Sequence, residues 1–167
     1  ITAVATDERG DRIFVGTADG YIYVYDSSGS MLSSLRDSMF EIHSLATSSD
    51  GSLLSSCGRQ PDHIRASYFA VTPTGSLSRI TMFGLPTLLT HTQIDNAGNY
   101  RLYVNTVLRL YSHNHTWSVV VRSGQHAAAL AGDGSWIVSG STSTLTLDGI
   151  RSPLPDNWGL PRNNRAP

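Results

Sequence analysis

Apolar and β-branched residues in this chain come in short runs, each broken within a few residues by glycine, aspartate, asparagine or serine. The stretch 16–26, G-T-A-D-G-Y-I-Y-V-Y-D, shows the pattern most plainly. Asp19-Gly20 predicts a two-residue hairpin turn, because glycine reaches positive φ without a Cβ penalty. Tyr21, Ile22, Tyr23, Val24 and Tyr25 follow it, and Ile13-Phe14-Val15 precede it. Such residues suit a pleated, half-buried surface and have poor reasons to be helical. Residues 1–6 and 30–35 add a strand on either side, joined through turns at 7–11 and 27–29. Four short strands linked by tight turns are an antiparallel meander.

The same order returns three times. The second unit has predicted strands at 42–47, 52–57, 64–71 and 76–82, with a longer loop at 58–63 holding Pro61. The third has strands at 88–94, 100–105, 107–112 and 117–122, and the fourth at 127–131, 136–141 and 144–147. The first-turn glycines Gly10, Gly51, Gly98 and Gly134 are spaced by 41, 47 and 36 residues. A loose period near 40 with four strands per unit predicts an all-β fold, a β-propeller of about four blades at 1–38, 39–85, 86–125 and 126–150. A β-sandwich also gives short strands with closely spaced turn signals. Repetition of order, turn glycine and polar loop favours the propeller. Helical periodicity is nearly absent, with room for one helical turn at 31–40.

These residues resemble a known family. Asp50-Gly51-Ser52-Leu53-Leu54-Ser55-Ser56, and the run from Gly132 to Ser141, G-D-G-S-W-I-V-S-G-S, are similar to the S-x-D-G-x-x-L-x-S-G-S segment of WD-repeat blades. The opening unit, with Asp19-Gly20-Tyr21-Ile22-Tyr23-Val24-Tyr25-Asp26, is also similar to NHL-repeat and quinoprotein-type blades. No unit ends in Trp-Asp and no Gly-His pair opens one, so the resemblance is to a divergent propeller. It implies a ring larger than four blades. A half ring leaves two blade faces uncovered: either the four blades close as a small ring, or another segment, another chain or a second copy of this one supplies the rest, and the partial, partner-completed ring is the expectation.

Composition narrows the function. The chain has 167 residues, and charged residues make up 15% where about 25% is usual. All twelve basic residues are arginine, and the net charge is −1. That balance gives no field for nucleic acid or anionic membrane. No apolar run is long enough for a membrane span. Cys57 is the only cysteine, so no intrachain disulfide forms, and it is expected to be a small buried hydrophobe. The chain opens on Ile1 without a signal-peptide pattern, which reads as a processed or excerpted piece; the compartment is expected to be cytoplasmic, with secretion left open. Asn114-His115-Thr116 is an N-glycosylation sequon that matters only in a secreted protein.

Catalytic chemistry is sparse. Of the histidines at 43, 63, 91, 113, 115 and 126, only His113-x-His115 has a metal-like spacing, and no cysteine or carboxylate accompanies it. There is no G-x-S-x-G, CxxC or phosphate-binding G-x-x-x-x-G-K motif. Asp7, Asp11, Asp19, Asp50, Asp95 and Asp133 fall in turns, where aspartate caps its own backbone. No cofactor or metal is expected.

The leading expectation is a non-catalytic scaffold that binds protein partners. Tyr21, Tyr23, Trp117, Trp136, Leu154, Trp158 and Leu160 are its candidate interface residues; the last three lie in a Pro-rich tail at 151–167. Arg9, Arg59 and Arg101 are expected to share one rim. The alternatives are a propeller whose central channel binds a ligand or catalyses, and one that binds carbohydrate through blade-top loops.

Overall fold

The computed structural model describes residues 1–85, 91–98, 100–104, 107–112, 118–123, 127–133, 135–140 and 145–149. All regular structure among them is β-strand. Blade 1 is a sheet of β1 (Ala3–Thr6), β2 (Arg12–Gly16), β3 (Tyr21–Asp26) and β4 (Met31–Arg36). Blade 2 holds β5 (Ile42–Thr47), β6 (Leu53–Arg59), β7 (Ile64–Val71) and β8 (Leu77–Leu85). Blade 3 holds β9 (His91–Ile94), β10 (Tyr100–Val104), β11 (Val107–Ser112) and β12 (Ser118–Ser123), and blade 4 holds β13 (Ala127–Leu130), β14 (Trp136–Gly140) and β15 (Leu145–Gly149). Each sheet is an antiparallel meander in chain order. The expected helical turn at 31–40 does not form: Met31–Arg36 pairs with β3 as the outer strand of blade 1. The expected strand at 88–90, the sequon, His113, His115 and the tail at 151–167 lie outside the described residues.

The opening strands of successive blades sit beside one another, β1 against β5 and β5 against β9. Blades therefore stack face to face around the line of their inner strands. Strand alternation gives each blade two faces. Phe14, Ile22 and Val24 of blade 1 meet Ile42, Leu45, Leu54 and Phe69 of blade 2 in one buried cluster, with Ala3 and Ala5 packed against it. Gly16 is required at this contact, because a Cβ there would lie 2.6 Å from the Ile42 side chain. Between blades 2 and 3 the contact is more polar. Ser55 and Thr92 hydroxyls hydrogen-bond at 2.8 Å, and the Tyr68 hydroxyl donates to the Gly98 carbonyl at 3.1 Å. Cys57 is fully buried there, and burial, with the Asp37 carboxylate nearby, pushes its thiol well above the usual value.

A polar latch joins blades 1 and 2. Asp37, in the link after β4, is 1% exposed. Its carboxylate accepts from Ser56 at 2.5 Å, Ser67 at 2.7 Å and Arg79 at 2.9 Å, one donor from each of β6, β7 and β8. Arg65 donates to its carbonyl at 2.7 Å. Its amide donates to the Gly20 carbonyl of blade 1. One residue thus ties three strands of blade 2 to a turn of blade 1.

A single turn design recurs. In the loop before β3, the Gly20 amide donates to Thr17 and the Thr17 amide to Tyr21, so the loop is Ala18-Asp19-Gly20 and not the two-residue turn expected from Asp19-Gly20. It is a three-residue loop closed by a left-handed glycine, a form that suits the strand twist. Gly10, Gly20, Gly29, Gly51, Gly75 and Gly98 all adopt positive φ in such turns. Aspartates hold several of these turns together, as expected. Asp26 accepts from Ser28 and Ser30, Asp50 from Ser48 and Ser52, and Asp133 from Ser135. These donors lower all three carboxyl pKa values below the ordinary aspartate range. Asp7 departs from this pattern, since its Oδ1 is buried without a hydrogen-bond partner.

Three predictions follow from this geometry. Gly29→Ala, at φ 83° with open space around it, costs about 1 kcal/mol of strain. Gly20→Ala costs roughly 3 kcal/mol or more, because its Cβ would also fall on the Ser38 carbonyl oxygen; equal urea midpoints for the two variants would contradict this. Asp37→Ala strands three donors and costs about 3 kcal/mol, the low end for a broken buried ion pair because Arg79 is partly exposed. Urea unfolding within 1 kcal/mol of the parent would show that the latch carries little. Asp50 titrates below its ordinary range, so its small contribution is present above that range and is lost as pH falls through the folded value. Ser48→Ala removes one donor and raises that value, as read by carboxyl NMR titration.

Candidate functional site

The three tyrosines of β3 fall on the face of blade 1 turned away from blade 2. Ile22 and Val24 point into the blade 1–blade 2 core, so alternation sends Tyr21, Tyr23 and Tyr25 the other way. The register adds Val4 and Val15 beside Tyr23, and Ile13 beside Tyr25. Met31 on β4 pairs with Tyr25 at the outer edge. The rings of Tyr21 and Tyr23 stack at 5.8 Å between centroids, and those of Tyr23 and Tyr25 follow at 6.4 Å. Arg36 lies over the Tyr21 ring at 5.9 Å.

The equivalent face of blade 2 shows how such a surface is normally used. Counted from the turn glycines, Val4 holds the position of Leu45 and Ile13 that of Leu54. Through the strand pairings Tyr25 holds the position of Phe69. Leu45 is 8% exposed, and Leu54 and Phe69 are completely buried, because blade 1 covers them. Val4 is 56% exposed and Met31 59%. Tyr21, Tyr23, Tyr25, Ile13 and Val15 are half-buried. Where blade 2 carries the latch donors Ser56, Ser67 and Arg79, blade 1 carries Val15, Tyr23 and Met31. The uncovered face of blade 1 is therefore the more apolar of the two, and it has no use for an acidic residue like Asp37. A contiguous apolar and aromatic surface of this kind makes the face a candidate interaction site.

Of the residues expected at an interface, Tyr21 and Tyr23 belong to this face. Sequence reasoning missed Val4, Ile13 and Val15, although alternation around the tyrosine run is the signal that places them. Trp136 opens β14. Trp117, Leu154, Trp158 and Leu160 lie outside the described residues. Arg9, Arg59 and Arg101 do not share one rim. Arg9 sits in the turn between β1 and β2, and the backbone of Arg101 is near the matching turn of blade 3. Arg59 ends the seven-residue strand β6, at its far end from that turn; at about 3.3 Å per residue it lies some 20 Å away.

The turn end carries a cleft of about 720 Å³ whose walls include Asp7, Glu8, Arg9, Arg12 and Asp50. Its charges are mixed, and Arg12 is engaged with the Gly51 carbonyl at 2.9 Å. Among the described residues no group of three or more histidine, cysteine or acidic side chains is placed to hold a metal ion. No described helix is long and apolar enough to cross a membrane.

No protein-family model matches the sequence, and no curated protein does. Solved structures do. The β-propeller domain of Cps50 (Swd1) from Myceliophteria thermophila superposes with a TM-score of 0.74 at 16% identity, covering 89% of this chain and 51% of that one. Kuenenia stuttgartiensis hydrazine synthase matches with a TM-score of 0.68 at 11% identity, covering 89% of this chain and 45% of that one. The chain thus spans about half the length of the structures it matches. Its fold is that of a β-propeller built from divergent, WD-repeat-like blades, present as part of a ring.

Proposed function

We propose that this chain is a non-catalytic protein-interaction propeller that works inside a larger assembly. The observation that carries the reading is the uncovered face of blade 1, where Val4, Ile13, Val15, Tyr23 and Tyr25 occupy positions that blade 2 keeps buried. Leaving such a face in water forgoes about 1.5–3 kcal/mol for each large apolar side chain that a partner would cover. The likeness to the β-propeller domain of Cps50 (Swd1) supports the same reading at the level of fold. A channel-binding or catalytic role would need charged groups converging on one point. Asp26, Asp50 and Asp133 instead hold their own turns and Asp37 joins two blades, while the cleft at the turn end mixes acidic side chains with Arg9 and Arg12.

A photo-crosslinking residue in place of Tyr23 tests this in cells that make the protein. It is expected to yield protein adducts, while the same residue in place of Ser28, in an exposed turn, yields few. Equal yields at the two positions would overturn the interaction reading.

A further inference from the structure

Asp7 is a turn aspartate whose side chain does not hold its turn. The backbone does that, with the Gly10 amide donating to the Asp7 carbonyl and the Asp7 amide to that of Arg12. The residue is 7% exposed, and its Oδ1 finds no donor among the described residues. At the same place in blade 2 stands Ser48, whose hydroxyl donates to Asp50 and accepts from the Leu53 amide. The fold therefore satisfies this position with a small hydroxyl and has no need of a carboxylate there. A buried carboxylate without donors costs stability, and buried polar groups of native proteins nearly always have partners.

The Asp7 side chain is turned toward blade 2. A Cβ on Gly51 would lie 2.9 Å from Asp7 Oδ2 and 3.0 Å from Asp7 Cβ, so glycine at 51 is what leaves it room. Asp7 also forms part of the cleft at the turn end, with Glu8, Arg9, Asp11 and Arg12 of blade 1 and Asp50 of blade 2. Acidic side chains outnumber arginines in that wall by four to two. Among the described residues neither arginine is ion-paired with Asp7. Arg12 donates instead to the Gly51 carbonyl at 2.9 Å and the Pro73 carbonyl at 3.4 Å. A belt of backbone hydrogen bonds links the turns of successive blades, from the Glu8 amide to the Ser49 carbonyl at 2.9 Å and on through Asn96 to Gly132. The two sides of the cleft come from consecutive blades and are tied together by the first of these bonds, so little ordering is left for a ligand to impose.

We infer that this cleft binds the guanidinium group of an arginine on a protein partner, with Asp7 as its main acceptor. A guanidinium is planar and weakly hydrated, and its five N–H donors form a fork that matches a carboxylate. It can engage Asp7 and still face acids that are spread along a wall. An ammonium is a compact, strongly hydrated charge and loses more on entering the same place. A metal ion suits the cleft less, since among the described residues no three acidic, histidine or cysteine side chains are placed to hold one. Exposed Glu8, Asp11 and Asp50 add a local negative field that draws a cation in. The cleft lies between blades 1 and 2, apart from the tyrosine face, and either can act without the other.

N-acetyl-argininamide is the probe, titrated into the full chain and followed by the carboxyl carbon resonance of Asp7. A saturable shift is expected, with a weaker response to the lysine analogue and none to the norleucine analogue. Asp7→Asn is expected to lower the calorimetric affinity by about tenfold or more, while Asp62→Asn, in the loop at the opposite end of β6, leaves it unchanged. Asp7→Asn is also expected to unfold in urea at or above the parent midpoint, because it removes a buried charge without breaking a hydrogen bond. A lower midpoint would show that the fold itself uses the carboxylate and would overturn the inference. No saturable shift, equal binding of either analogue, or an unchanged affinity in Asp7→Asn overturns it as well. If Asp7→Asn loses its strand signal in circular dichroism, the exposed pair Glu8→Gln, Asp11→Asn decides, with a weaker affinity expected and an unchanged one fatal. The crosslinker at position 23 reads the tyrosine face separately, so failure of one site is distinguishable from failure of the other.

Discussion

A propeller blade is a thin sheet with two faces, and neither can be stable while wet if both are apolar. The contact between blades is therefore the interaction on which everything else in this structure depends. In blades 1 and 2 it is made by Phe14, Ile22 and Val24 on one side and Ile42, Leu45, Leu54 and Phe69 on the other. A sheet of four short strands has little interior of its own, so its stability is borrowed from its neighbours.

Polar groups refine this packing. Asp37 gathers Ser56, Ser67 and Arg79 and fixes how blade 2 sits on the end of blade 1, so that the face is both apolar and keyed. A buried carboxylate with three donors is intolerant of misplacement, because each displaced donor is left unsatisfied. Blade 1 has no such patch on its own outer face, where Val15, Tyr23 and Met31 stand instead. The covered face of blade 2 is thus latched by charge, whereas the open face of blade 1 is apolar.

The turns show local chemistry repeated to a global end. Six glycines at positive φ close loops of one design, and aspartate and serine side chains satisfy many of their amides. Because the turns are alike, their peptides come into register from blade to blade and form the belt from Glu8 to Gly132. A repeated loop thus becomes a directional connection across the assembly.

Much of the fold was legible in the sequence because strand alternation and turn glycines act over a few residues. Tyr21–Asp26, Ile42–Thr47, Ile64–Val71 and Val107–Ser112 fall where the pattern put them. The near-40-residue spacing of Gly10, Gly51 and Gly98 marks blades for the same reason. Tyr21 and Tyr23 stood out as candidate interface residues by type alone. Asp37 did not, since nothing local separates it from the aspartates of the turns; its role exists only when β6, β7 and β8 are brought to it from 19 to 42 residues away. Arg9 and Arg59 looked like neighbours in a repeat, yet strand direction sends them to opposite ends. The sequence by itself determined strands, turns and their repetition, which depend on local backbone preference. Which face of each strand is covered, and which is left open, was decided only by the packing of one blade on the next, because burial belongs to pairs of surfaces and not to either one.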